Sequence, residues 1–334
     1  MEKIVLINTD SMKELGNRLY EILNKKINIE LIEPQEIRFA NGEAKIIIKE
    51  QLRNKRVFIL IDVGNYSCKY KIHNNINSMS PDDHYMNIKR IISAIKGNCK
   101  NITIIMPLLY ASRQHRCSVG ESLDCSMALQ DLTSIGVDSI ITIDVHDPGI
   151  QNSIPYNTFE NYQPTSLILT SFLKKIDYDP ERIIVISPDT GAVNRTRHFA
   201  DLLKCDLGMF YKRRDLSKVI HGKNPIVAHE YMGADVKNKT ALIVDDIIAS
   251  GTSVMEVVEE LNKKGCYDIY IAATFGLFND GIEKFNQAYH NNMIKKVYIT
   301  NATYISPKIA NKEWVEVVDV VKLLEEAVMN SINV

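Results

Sequence analysis

The chain has no surplus of positive charge. Its 334 residues carry 40 lysines and arginines against 41 aspartates and glutamates, a formal net charge of −1. A protein built around nucleic acid usually shows a basic excess, so nucleic acid is excluded as the principal partner, although local basic clusters can still hold small anions. There is no Cys-x-x-Cys pair; the six cysteines, Cys68, Cys99, Cys117, Cys125, Cys205 and Cys266, are scattered. That usage suits a reducing compartment in which most thiols serve as small apolar side chains. No apolar run reaches transmembrane length, and Met1-Glu-Lys-Ile-Val-Leu-Ile-Asn8 enters a strand pattern without the apolar core of a signal peptide. A cytoplasmic protein with no membrane partner is therefore expected. Low-complexity tracts are absent as well.

What is present is a soluble composition, 45% hydrophobic and 24% charged, in a chain long enough for two domains. Apolar runs of strand length recur at Ile4–Ile7, Ala44–Ile48, Val57–Ile61, Ile102–Met106, Ile140–Ile143, Ile183–Ile186, Leu207–Phe210, Ala241–Val244, Ile269–Ala273 and Val297–Ile299. Amphipathic stretches separate several of them: Met86–Ile95, Ser126–Ile135, Thr165–Lys175, Val193–Leu203 and Val254–Lys264. Continuous Val/Ile runs alternating with helices predict an α/β protein with mainly parallel sheets flanked by helices. A boundary is expected near Pro155–Pro164, giving domains at 1–160 and 161–305, with the tail 306–334 returning to the first. Residues 64–82 and 212–224 read as loops, the second basic enough for a lid over an anionic ligand.

The stretch richest in chemistry is Ala241-Leu-Ile-Val-Asp-Asp-Ile-Ile-Ala-Ser-Gly-Thr-Ser253. A buried strand ends in two carboxylates, and a turn of hydroxyls and glycine opens a helix. Ser250, Gly251, Thr252 and Ser253 offer N–H groups and hydroxyls at a helix N-terminus, where the dipole favours a phosphate. Asp245 and Asp246 would repel that phosphate; they suit ribose hydroxyls or a divalent cation. An ordinary strand-to-helix turn capped by Ser250 is the plain alternative.

Other polar groups also follow strand ends, where open α/β sheets bind ligands. Arg113-Gln-His-Arg116 places guanidiniums suited to polyphosphate, or else forms a solvated basic turn. Asp144-Val-His146 presents an imidazole able to ligate a metal or polarise a phosphate, or a structural histidine. Ser187-Pro-Asp-Thr-Gly191 repeats the carboxylate–glycine theme with Asp189. Clustered carboxylates at one rim are tolerable if Mg²⁺ or sugar hydroxyls come between them. In Tyr211-Lys-Arg-Arg-Asp215, Lys212 and Arg214 point the same way if extended, two cations suited to a transferring phosphoryl group.

The Asp245–Ser253 turn resembles the phosphoribosyl-pyrophosphate loop of the type I phosphoribosyltransferase fold. In order, Arg38-Phe-Ala-Asn-Gly-Glu43, Arg113-Gln114, Thr142-Ile-Asp-Val-His146, Ser187-Pro-Asp-Thr-Gly-Ala192, Lys212-Arg-Arg214 and Val244–Ser253 are similar to the signature segments of ribose-phosphate diphosphokinases, with further similarity at Ala273–Phe278 and Thr300-Asn301. The resemblance spans about residues 1–330. It implies two type I phosphoribosyltransferase-like domains, ATP on the N-terminal side and ribose 5-phosphate on the C-terminal side, with the active site between them and completed by a neighbouring subunit. The implied reaction moves the diphosphoryl group of Mg-ATP to O1 of ribose 5-phosphate, giving 5-phosphoribosyl 1-diphosphate (PRPP) and AMP. Phe39, Asn41 and Glu43 would contact adenine from the adjacent subunit, Arg113 and Gln114 would hold ATP, and His146 and Asp189 would serve Mg²⁺. Lys212 and Arg214 would stabilise the transition state, and Asp189, Asp245, Asp246 and Ser250–Ser253 would bind ribose 5-phosphate. A dimer-based homo-oligomer, up to a hexamer, is implied too.

The chain departs from the pattern in several places. Ala249 replaces a third loop acid, Ser250 a threonine, and Thr252-Ser253 a Gly-Thr pair; His115 replaces the aspartate after Arg-Gln, and 64–82 is longer than usual. Gln51 and Pro148 stand where serines serve an allosteric phosphate site, and the usual serine-bearing tail is not found, so weak phosphate activation and weak ADP allostery are expected. Two other readings stay open: a catalytically weak regulatory paralogue of an active synthetase, and a transferase that consumes PRPP.

Overall fold

The computed structural model describes residues 3–214 and 226–333, with the backbone alone at 212–214, 226–229 and 333. Contacts divide the chain into two compact units. One holds residues 1–164, 301–304 and 319–334; the other holds 165–300 and 305–318.

In the first unit the chain runs β1 (Lys3–Asn8), α1 (Lys13–Leu23), β2 (Ile29–Ile32), β3 (Gln35–Arg38), β4 (Ala44–Ile47), β5 (Lys55–Leu60), β6 (Lys69–Ile72), β7 (Asn75–Ser78), α2 (Pro81–Ile95), β8 (Asn101–Ile105), α3 (Asp124–Ser134), β9 (Ser139–Ile143) and β10 (Thr158–Tyr162). Six strands pair in the order β10-β9-β8-β5-β1-β2, every pairing parallel. Lys-Ile-Val-Leu-Ile-Asn in β1 and Lys-Arg-Val-Phe-Ile-Leu in β5 are buried almost throughout, the expected state of strands covered on both faces. From residue 319 the tail returns here: α9 (Val321–Asn333) packs on α1, with ion pairs Arg18–Asp319 and Lys26–Glu325. Asp62 ties in Asn301–Tyr304, accepting from the Thr303 hydroxyl (2.9 Å) and the Tyr304 N–H (2.7 Å).

The second unit runs α4 (Thr165–Leu173), β11 (Ile183–Ser187), α5 (Val193–Leu203), β12 (Asp206–Arg214), β13 (Ile226–Gly233), β14 (Thr240–Ile248), α6 (Thr252–Lys263), β15 (Asp268–Gly276), α7 (Glu283–His290), β16 (Lys296–Thr300), α8 (Pro307–Ala310) and β17 (Val315–Val318). Its strand order is β13-β12-β11-β14-β15-β16-β17, parallel except for β13 against β12. The core between β14, β15 and α6 includes Trp314, Phe285 and Phe278; the Phe285 and Trp314 rings stack 5.5 Å apart, at 16°.

Four expectations need correction. The span 64–82 is not all loop: β6 and β7 form a hairpin in which Ile72 pairs with Asn75. Its two turn residues, His73 and Asn74, both take positive φ, 45° and 67°, the geometry that matches strand twist in a two-residue turn. Residues 212–214 extend β12 rather than starting a loop; the remainder of the expected lid, 215–224, lies outside the described residues. β14 continues past Val244 to Ile248, carrying both aspartates inside the strand. Residues 305–318 belong with the second unit, since β17 pairs with β16, whereas the sequence pattern predicts the whole tail from 306 in the first.

Candidate functional site

The first unit's residues lie on three loops. Phe39, Asn41 and Glu43 cap the β3–β4 hairpin. Phe39 N–H donates to Glu43 O (2.8 Å), Gly42 N–H to Phe39 O (2.9 Å), and Glu43 N–H to Asn41 Oδ1 (3.1 Å). Gly42 sits at φ 92°, a conformation that glycine adopts at low cost. Phe39 remains 46% exposed, with the Lys45 ammonium over its ring, 5.9 Å from the centroid.

Arg113 and Gln114 are exposed on the long loop between β8 and α3, anchored by Gln114 N–H to Ala111 O at 2.7 Å. Past β9, Asp144 turns the chain with φ 43° and donates its N–H to Tyr162 O (2.9 Å), which leaves His146 half-buried just beyond. The His115 and His146 rings lie 5.2 Å apart. Asp147 binds the same loop, 3.3 Å from His115 Nε2 and 2.8 Å from Arg116 Nη2. The Gly149 N–H foremost, then Arg116 and His115, holds the Asp147 carboxyl below the usual carboxylate range. The Arg113 loop and His146 are thus brought together through His115, the residue that had read as a loss.

In the second unit, β14 alternates its faces, leaving Asp245 half-buried and Asp246 only 4% exposed. Burial, reinforced by the Asp246 charge and more weakly by Asp189, raises the Asp245 carboxyl well above its ordinary range; Arg195 on α5 opposes that. Asp189, Asp245 and Asp246 therefore share one locality with a guanidinium. Asp189 spends one oxygen on its own turn, accepting from Gly191 N–H (2.8 Å) and Ala192 N–H (3.2 Å).

The turn after β14 is strapped to the neighbouring strand end, with Asn279 N–H donating to Ala249 O (2.9 Å). Gly251, at φ 74°, is the N-cap of α6, so the plain alternative of a turn capped by Ser250 does not hold. A Cβ there would lie 2.4 Å from Phe285 Cε2, so only glycine fits against that ring. Ser250 Oγ accepts from Thr252 N–H and donates to Thr252 Oγ1, both at 3.3 Å, while Ser253 is half-buried in the first turn of α6. Lys284 on α7 donates to Thr252 Oγ1 at 3.0 Å, placing an ammonium beside the turn. Sequence reading missed Arg195 and Lys284, because each acts from another helix, Arg195 on Asp245 and Lys284 on the turn, and neither has a local motif. Lys212 and Arg214 have extended backbone, with a bulge between Arg213 and Arg214; their side chains lie outside the described residues.

His146 and Asp189 belong to different units. Among the described residues no three His, Cys, Asp or Glu side chains form a metal-binding cluster, and no helix is long and apolar enough to cross a membrane.

A parallel sheet whose strand runs through paired aspartates into a glycine turn and a helix marks the phosphoribosyltransferase class. The family profile described as the phosphoribosyl transferase domain matches residues 156–318, and the N-terminal domain of ribose phosphate pyrophosphokinase matches residues 4–136. Ribose-phosphate pyrophosphokinase of Mycoplasma genitalium is 32% identical over 324 residues, covering 95% of this chain and 90% of that protein. The Thermotoga maritima protein of the same name is 28% identical over 318 residues, 93% and 90% of the two chains. The fold matches the crystal structure of phosphoribosylpyrophosphate synthetase from Mycobacterium smegmatis with a TM-score of 0.82, over 99% of each chain at 22% identity. The chain belongs to the ribose-phosphate pyrophosphokinase family.

Proposed function

We propose that the chain transfers the β,γ-diphosphoryl group of ATP to O1 of ribose 5-phosphate, with the work divided between its units. The observation that carries the sugar side is β14, which holds Asp245 and Asp246 in its last residues and runs directly into the turn that begins α6. The N-terminus of α6, with the hydroxyls of Ser250, Thr252 and Ser253, receives the 5-phosphate. Asp245 accepts hydrogen bonds from ribose hydroxyls, with Asp246 and Asp189 supporting it. On the first unit, Arg113 and Gln114 take the polyphosphate, and the Phe39–Glu43 turn takes the base.

The chemistry follows from that division. O1 of the sugar gives up its proton and bonds to the β-phosphorus, while the bond from that phosphorus to the oxygen bridging the α-phosphorus breaks and AMP leaves. O1 is a weak nucleophile, so orientation and charge neutralisation carry most of the catalysis. Lys212 and Arg214 are assigned the charge that develops on the transferring group. Carboxylate oxygens such as those of Asp189 are the donors Mg²⁺ prefers, so the residues present fit that ion. The imidazole of His146 is a less favoured Mg²⁺ donor and serves equally as a phosphate contact. When bound, Mg²⁺ supplies neutralisation of the phosphate charge. A homo-oligomer in the cytoplasm is part of this reading.

Product analysis tests it. Purified protein with ATP, ribose 5-phosphate and Mg²⁺ should yield AMP and PRPP in equal amounts, and Lys212→Ala should abolish both. ATP bound without AMP formed would favour the regulatory paralogue; consumption of PRPP with a nucleobase, without ATP, would favour the transferase.

A further inference from the structure

We infer that the β6–β7 hairpin is a positioning element for the nucleotide base, acting through Tyr70 on Arg38 and through residues 72–73 on the Phe39–Glu43 turn. The inference rests on the assignment of that turn to the base. Neither β6 nor β7 joins the main sheet; the two pair only with each other. The hairpin nevertheless meets the base turn at both of its ends.

At one end the Arg38 guanidinium lies 4.2 Å from the centroid of the Tyr70 ring, within the range of a cation–π contact. The same guanidinium donates to Gly42 O (3.2 Å), inside the turn, and to Asp83 Oδ1 (3.4 Å). Asp83 belongs to the capping box of α2 with Ser80, and Tyr70 Oη also donates to it, at 3.3 Å. Burial pushes the Asp83 carboxyl up, but Ser80, Arg38 and Tyr70 together hold it below the usual range. Arg38 Nε also donates to Glu36 Oε1 at 2.5 Å, so Arg38 is fixed from four sides, by a ring, two carboxylates and the turn carbonyl. At the other end, His73 N–H donates to Ala40 O at 3.2 Å, and a Cβ on Gly42 would lie 3.0 Å from Ile72 Cδ1. The hairpin tip therefore rests on the back of the turn, while Phe39 on the turn keeps 46% of its surface exposed. A two-stranded hairpin such as β3–β4 is marginal alone, so an external brace of this kind sets how rigidly the aromatic face is held.

The test is steady-state kinetics on the full chain. Tyr70→Leu keeps the bulk and removes the ring; it should raise KM for ATP about three- to tenfold, the value of one cation–π contact, and leave KM for ribose 5-phosphate and the melting temperature within about twofold and a few degrees. Tyr70→Phe keeps the ring and should restore KM for ATP. Phe39→Ala is the control for the underlying assignment. If it raises KM for ATP while Tyr70→Leu does not, the positioning role is overturned and the base assignment stands. If neither variant moves KM for ATP, the base assignment fails and the inference falls with it. A Tyr70→Leu protein that raises both KM values together, or a Tyr70→Phe protein that raises KM for ATP as much as Tyr70→Leu does, shows a merely structural role and also overturns it.

Discussion

The two turns assigned to substrate are held in opposite ways. The Asp245–Ser253 segment continues a strand in the middle of a seven-stranded sheet, and its glycine abuts Phe285, itself stacked on Trp314 and in edge contact with Phe278. The Phe39–Glu43 turn caps a separate two-stranded sheet and rests on the ends of two side chains, Ile72 and Arg38. Where a turn is backed by close-packed rings, a change in backbone or volume is felt at once, because interiors relax only in part. Where it is backed by side-chain ends, small shifts absorb the same change.

Gly251→Ala should give the largest effect. A methyl group would be forced to within 2.4 Å of a ring that cannot retreat, at a φ of 74°. A loss of about 2–4 kcal/mol in stability is expected from overpacking and left-handed strain combined, with KM for ribose 5-phosphate raised at least tenfold. Denaturant melts and kinetics measure both; a loss below about 1 kcal/mol would show that the Phe285 wall is softer than its packing implies.

The two units also hide raised carboxylates of different kinds. Asp62 is fully buried, and desolvation pushes it to about 6 despite donors from Tyr304, Gly64 and Thr303. Its folded value lies above its unfolded one, so the stability it contributes is full below about pH 4 and is lost as pH rises through about 6. Relative to Asp62→Asn, unfolding free energy should fall by roughly 2–3 kcal/mol across that window; a flat difference would place Asp62 in the ordinary range. The shift on Asp245 arises from burial together with Asp246, and it should appear in ligand binding. Sugar hydroxyls need the ionised form, so KM for ribose 5-phosphate should climb as pH is lowered toward the raised value, and Asp246→Asn should shift that climb to lower pH.

Lys284→Ala sharpens the sugar side at smaller cost. Its exposed ammonium meets Thr252 Oγ1, and exposed charges are screened, so KM for ribose 5-phosphate should rise only about two- to fivefold, less at high salt. An unchanged KM would mean that the lysine serves the protein alone.

These contrasts follow what the sequence could disclose. The Asp245–Ser253 segment is a continuous local signal: apolar run, acids, small turn residues, helix. It was legible for that reason, apart from the extension of β14 through its aspartates, which the polar side chains disguised. The β6–β7 hairpin was not legible, because Lys-Tyr-Lys-Ile and Asn-Ile-Asn-Ser are short and only partly apolar, and His73-Asn74 supplies the turn without glycine. Arg195 and Lys284 come from helices whose sequences say nothing of the residues they act on, Asp245 and Thr252. His115 read as a departure, and only the fold shows it against Asp147 and His146.

Gly42→Ala is the smallest expected effect and the closest counterpart to Gly251→Ala. Both glycines have positive φ, 92° and 74°, so the conformational cost of alanine is similar at each, about 1 kcal/mol. What differs is the neighbour. Alanine at 42 meets Ile72 Cδ1 at 3.0 Å, the end of a side chain that can rotate or shift on a hairpin outside the main sheet. Stability should fall by about 1 kcal/mol and no more, and KM for ATP should rise less than threefold while KM for ribose 5-phosphate stays level. If Gly42→Ala matched Gly251→Ala in either measure, the β6–β7 hairpin would be as unyielding a wall as Phe285, and the contrast between a turn rooted in the sheet and one braced from outside would collapse.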